Sequence, residues 1–128
     1  MRLNPDCVRD VLLTVEDAEL NEHISPATLH RSLPQYSEEE IAYTCLMLGD
    51  GGYLTVMTVN LPMQSVPGVK SVSSLTYAGH EFAANIRKDT VWAGIKNVAT
   101  KIGTTSLPGL TQIAANVVTE LIKSHFDL

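Results

Sequence analysis

The chain has 128 residues, of which 45% are hydrophobic but only 5% aromatic, so it fits one domain whose core is built from Val, Leu, Ile and Ala, a composition that favours helices packed through aliphatic stripes. The formal net charge is −5, and the acids gather in the first half: Asp6, Asp10, Glu16, Asp17, Glu19, Glu22, Glu38, Glu39, Glu40 and Asp50 stand there against Arg2, Arg9 and Arg31. That half repels phosphate backbones, which disfavours a general DNA binder though it leaves DNA open as a partner; no run approaches the ~18 apolar residues of a spanning helix, no apolar signal region opens the chain, and a cytoplasmic protein with no membrane role is expected.

Asn4-Pro5 is a helix start, with Asn as cap and Pro at the first helical position. Cys7, Val8, Val11, Leu12 and Val15 follow at helical spacing, predicting a helix from about 5 to 18. Residues 19–25 connect, with a short strand expected around His23-Ile24. Ser25-Pro26 starts a second helix, which Pro34 ends; Leu29 and Leu33 are its expected inward pair. Ser37-Glu38-Glu39-Glu40 has the form of a capping box, Ser37 accepting from the N–H of Glu40 and Glu40 reaching back to that of Ser37. Tyr36 and Ile41 occupy the positions of a hydrophobic staple. Gly49-Asp50-Gly51-Gly52 stops this third helix.

Residues 53–60 are rich in β-branched side chains and predict a strand. Pro62, Pro67 and Gly68 mark a loop, and 69–75 predicts a second strand paired with the first. Thr76 is the expected cap of a helix to about Ile86. Asp89 or Thr90 is expected to cap the next, whose stripe is Val91/Trp92, Ile95, Val98/Ala99 and Ile102, ending at Gly103. Ser106 starts the last helix, roughly 107–124.

The fold class is therefore mostly α with a small β-hairpin (α+β): a winged-helix unit followed by two C-terminal helices. The expected organisation is a winged-helix-like unit over 1–88 and a helical extension over 89–128 packed on it, one compact domain overall. Leu75-Thr76-Tyr77-Ala78-Gly79 resembles the LTxxG segment that often follows the wing of winged-helix proteins. In that segment Leu75 closes the strand, Thr76 caps, and Gly79 lets the helix approach the sheet.

Several segments taken together carry a closer resemblance: Leu3 to Asp10, Ile41-Ala42-Tyr43, Leu75 to Phe82, and Asn85 to Asp89 followed by Val91-Trp92. The chain resembles an uncharacterised family of small proteins common in phages and prophages, a domain of unknown function, and is similar to YjcQ-like winged-helix proteins. The resemblance implies a fold and a genomic setting. It implies no reaction and no site residues.

No constellation points to catalysis. His80-Glu81 begins like a zinc-protease helix, but the second His that the chemistry needs four residues on is Ala84, so pairing or capping near a helix start is the expected role. His23, His30 and His125 are scattered, and Cys7 and Cys45 fall at apolar helical positions as expected buried thiols. No catalytic, cofactor or metal residues are expected. Gly49 to Gly52 lacks the Lys-Ser/Thr of a phosphate-binding loop and no strand precedes it.

Two surfaces are candidates for contact. In a helix-turn-helix the third helix would meet DNA with its N-terminal residues. Here those residues are acidic, and Glu39, Glu40, Tyr43, Thr44 and Met47 form the candidate recognition-helix surface. In the last helix Leu107, Leu110, Ala114, Val117 and Leu121 step by three and four, the spacing of a helix–helix seam, widened by Ile113, Val118 and Ile122. Leu110, Ile113, Ala114, Val117, Val118, Leu121 and Ile122 are the candidate interaction residues. Glu120, Lys123 and Asp127 give that helix a thin, mixed polar face rather than the basic one of a membrane-surface helix. The expected function is that of a non-enzymatic phage or prophage accessory protein acting through protein–protein contacts, as a homo-oligomer or with another protein. The alternative is a dimeric winged-helix DNA-binding transcription regulator with basic contacts from the wing and from Lys70, Arg87, Lys88, Lys96 and Lys101.

Overall fold

In a computed structural model, residues 1–126 are described; Asp127, counted above on the polar face of the last helix, lies outside them. Among the described residues, six helices and one two-stranded antiparallel sheet follow the order expected from the sequence. The chain forms two compact units, Met1–His80 and Glu81–Leu128.

In the first unit, α1 spans Pro5–Glu16. Asn4 caps it by accepting from the N–H of Asp6 at 3.0 Å. The helix ends short of residue 18 because the N–H of Ala18 turns back to Val15 O, an i→i−3 bond that tightens the last turn. Cys7, Val8, Val11, Leu12 and Val15 are its buried stripe, as the spacing predicts. The strand expected at His23-Ile24 narrows to a single bridge, in which Ile24 and Val72 exchange both backbone bonds at 2.8 Å.

Helix α2, Pro26–Ser32, is capped by Ser25, whose hydroxyl accepts from Thr28 N. Leu29 is buried as expected, but Leu33 is only half-buried. Leu33 precedes Pro34, which pushes it out of helical backbone, here to φ −127 and ψ 63. Helix α3, Glu38–Asp50, starts with Ser37 Oγ accepting from Glu40 N at 3.1 Å. The reciprocal half of the box is spent elsewhere: the Glu40 carboxylate accepts from Asn4 Nδ2 at 3.2 Å, joining the starts of α1 and α3.

Strands β1, Leu54–Val59, and β2, Gly68–Leu75, pair antiparallel from Leu54↔Leu75 to Val59↔Gly68. This is the hairpin the sequence predicts. Leu54, Val72 and Leu75 turn inward to join Ile24, Ile41, Cys45 and Leu48 in the core. Helix α4, Tyr77–Ile86, follows at once. Thr76 fixes its start three ways: its N–H donates to Tyr53 O, its hydroxyl donates to Gly52 O, and that hydroxyl accepts from Gly79 N at 3.1 Å.

In the second unit, α5 spans Asp89–Ile102 and α6 Leu107–Phe126, and the two pack against each other. The cap of α5 is Lys88, with no side-chain cap bond, rather than Asp89 or Thr90, which lie inside the helix. Gly103 ends α5 at φ 83, the left-handed conformation glycine adopts freely. Ser106 opens α6 by accepting from Gly109 N at 3.1 Å. Buried in this unit are Phe82, Ala83, Ile86, Trp92, Ile95, Ala99, Leu107, Leu110, Ile113 and Ala114.

Candidate interaction surfaces

The seven residues proposed on α6 divide along the helix. Leu110, Ile113 and Ala114 are buried and belong to the core. Val117 and Val118 are half-buried. Leu121 and Ile122 are 49% and 51% exposed, and Phe126 beyond them is 65% exposed. The close helix–helix approach that a small residue at 114 would permit is therefore not on the surface. The reason is length: at 1.5 Å per residue, a helix of 20 residues outruns one of 14, so the same stripe is covered at one end and bare at the other. A groove of about 400 Å³ lies between the helices, lined by Val98 and Ile102 of α5 and by Ile113, Asn116, Val117, Glu120 and Leu121 of α6. Ile102 at its rim is 66% exposed.

The five residues proposed on α3 also divide. Glu39 is exposed, and Glu40, Tyr43 and Met47 are half-buried. Thr44 is fully buried, a correction to its expected place on the outer face. It lies three residues after Ile41 and one before Cys45, within the apolar stripe, and its hydroxyl donates to Glu40 O at 2.8 Å and to Cys7 Sγ at 3.4 Å. A threonine that back-bonds within its own helix carries no unmet polar group into a core. Glu40 is likewise engaged, with Asn4.

Sequence reasoning passed over a second groove on this unit. The outer face of α3 and the loop joining β1 to β2 enclose about 360 Å³, lined among others by Glu39, Ala42, Tyr43, Leu46, Leu61 and Val66. A signal for it was present: no charged residue occurs between Asp50 and Lys70.

His80 lies in the first turn of α4, its Nδ1 3.8 Å from Glu16 Oε2 of α1. Cys7 and Cys45 are buried free thiols. Among the described residues no cluster of three or more His, Cys, Asp or Glu could hold a metal ion, and no helix is long and apolar enough to cross a membrane.

These features define a small, mostly helical α+β protein with a two-stranded antiparallel hairpin between α3 and α4 and an apolar groove on each of its two units. The model of a family described as "Hypothetical protein (DUF2513)" matches residues 2–106, and the chain belongs to that family. The match spans α3 and the hairpin and stops before α6. An uncharacterized protein of Haemophilus influenzae is 24% identical over 124 residues, covering 95% of this chain and 99% of the relative. No solved structure matches the chain.

Proposed function

We propose that the protein is a non-enzymatic accessory protein that acts through protein–protein contacts and self-associates through the C-terminal half of α6. The phage or prophage setting implied by the sequence resemblance is part of this proposal. The observation that carries it is the apolar stripe of α6 that continues past its cover, leaving Leu121 and Ile122 about half exposed, with Leu121 lining the same groove as exposed Ile102. At roughly 100 Å² of apolar surface apiece, Leu121, Ile122 and Ile102 from each of two copies would remove about 600 Å² from water, below the ~1,200 Å² of a standard specific interface and in the range of weak, transient contacts. A second copy is the favoured occupant because a stripe stepping by three and four residues packs against another of the same spacing, and a two-fold axis uses one patch twice. So small an area makes the expected association weak and concentration-dependent.

Charge favours this function over the DNA-binding alternative. Three glutamates open α3, and Lys70 is the one basic residue from Tyr53 to Leu75, so the hairpin brings little to a phosphate backbone. Sedimentation or light scattering over a concentration series tests the proposal. Wild type should dimerise, and Leu121→Asp and Ile122→Asp should remain monomeric with unchanged circular dichroism. A wild type that stays monomeric at high concentration refutes self-association. Sub-micromolar affinity for random duplex at physiological salt, tighter than the ~10⁻⁴–10⁻⁶ M of nonspecific contacts, would establish the alternative instead.

A further inference from the structure

We infer that the groove between α3 and the β1–β2 loop docks a segment of a partner protein that is amphipathic and basic. The loop is the most apolar exposed part of the first unit. Leu61, Met63 and Val66 are all exposed, as is Val59 at the end of β1 before them, in a run without a single charge. Met63, at the tip, is held at φ 62, a left-handed backbone that L side chains enter at a cost. A hairpin that presented only solvent-facing residues would carry polar side chains here, and an exposed apolar cluster of this kind marks a contact site.

The groove's chemistry is two-sided. Ala42, Leu46, Leu61 and Val66 give it an apolar floor, and Glu39 stands on its wall with Glu38 beside it in sequence. Arg2, Arg9, Arg31 and Lys70 do not line it, and the one positive group at its edge is the amino terminus of Met1, which Glu38, Glu39 and Glu40 at the start of α3 outnumber. The positive end of the α3 dipole amounts to about half a charge, which three carboxylates outweigh. An apolar anchor on the floor with Lys or Arg against Glu39 matches this surface, and an acidic segment would be repelled. The same carboxylates disfavour an anionic membrane and a phosphate backbone. No residue of α6 lines it.

The test is fluorescence anisotropy of the full chain with two labelled peptides of equal length, both with a leucine face, one with lysine and one with glutamate on the polar face. The lysine peptide should bind saturably and the glutamate peptide about tenfold more weakly or worse. Glu38→Lys/Glu39→Lys and Val66→Ser, all at exposed positions, should each weaken the lysine peptide by about tenfold with circular dichroism unchanged. Glu22→Lys, outside the groove, should leave binding as it was. Equal binding of both peptides overturns the inference, as does equal weakening by Glu22→Lys. It is also overturned if neither peptide binds while anionic vesicles or random duplex do.

Discussion

A Cβ placed on Gly79 would overlap the carbonyl oxygen of Tyr53 and press on Leu75 Cβ at 3.3 Å. The first turn of α4 therefore meets the end of the hairpin at a distance only glycine permits. The obstacle is backbone, which cannot swing aside as a side chain does. Gly79→Ala should cost about 1–3 kcal/mol, the usual range for overpacking, seen as a lower urea midpoint. An unchanged midpoint would show that α4 shifts freely.

Thr76 holds the same junction from the other side. Its hydroxyl both donates to Gly52 O and accepts from Gly79 N. Thr76→Val keeps the shape and removes both bonds. A lost helix cap typically costs about 1 kcal/mol, and the freed Gly52 carbonyl can still reach water because Gly52 is exposed. A loss near 1 kcal/mol in denaturant titration is expected, and Thr76→Ser should recover most of it.

Leu110 and Leu121 lie on the same stripe of α6 but should respond differently to substitution. Leu110 is fully buried and Leu121 about half exposed. Leu110→Ala should cost about 2–5 kcal/mol, as core truncations do. Leu121→Ala should cost much less in a dilute monomer, with its effect falling on association. Equal losses in dilute thermal melts would mean that the end of α6 is as well covered as its start.

Alkaline pH should destabilise the first unit. Burial pushes the Cys7 thiol up to about 11, against the opposing pull of the Thr44 hydrogen bond, and pushes Cys45 up to about 12. Tyr36 is also raised, first by burial and then by its 2.6 Å bond to the Asp10 carboxylate. Folding favours the neutral form of all three, so the stability they give is complete below their ordinary values and is lost as pH climbs through the raised ones. Tm should fall from about pH 9 upward, and the fall should be shallower in Cys7→Ala/Cys45→Ala than in wild type when each is compared with its own Tm at pH 7. A wild-type Tm level from pH 8 to 11 would refute this. Neither thiol should react with a disulfide reagent at pH 8 until the protein unfolds, since the reactive species is the thiolate.

The sequence by itself determined the helices, the hairpin and their order, because these rest on interactions within a few residues. Asn4-Pro5, Ser25-Pro26, Ser37 before Glu40 and Thr76 before Gly79 are local capping chemistry, and the buried stripe of α1, with Trp92, Ile95 and Ala99 of α5, follows from a period of 3.6 residues, although Ile102, the last member expected on the α5 stripe, is exposed. Tertiary structure decided what those local rules leave open. Glu40 could satisfy its own capping box or bond Asn4, and only the meeting of α1 with α3 selects Asn4. Thr44 could sit on either edge of its stripe, and the approach of Cys7 turns it inward. The stripe on α6 runs nearly the length of the helix in sequence, but which part is core depends on how far its neighbour extends. Burial is a property of the covering element, which lies elsewhere in the chain, and no periodicity in the helix itself records where that cover ends.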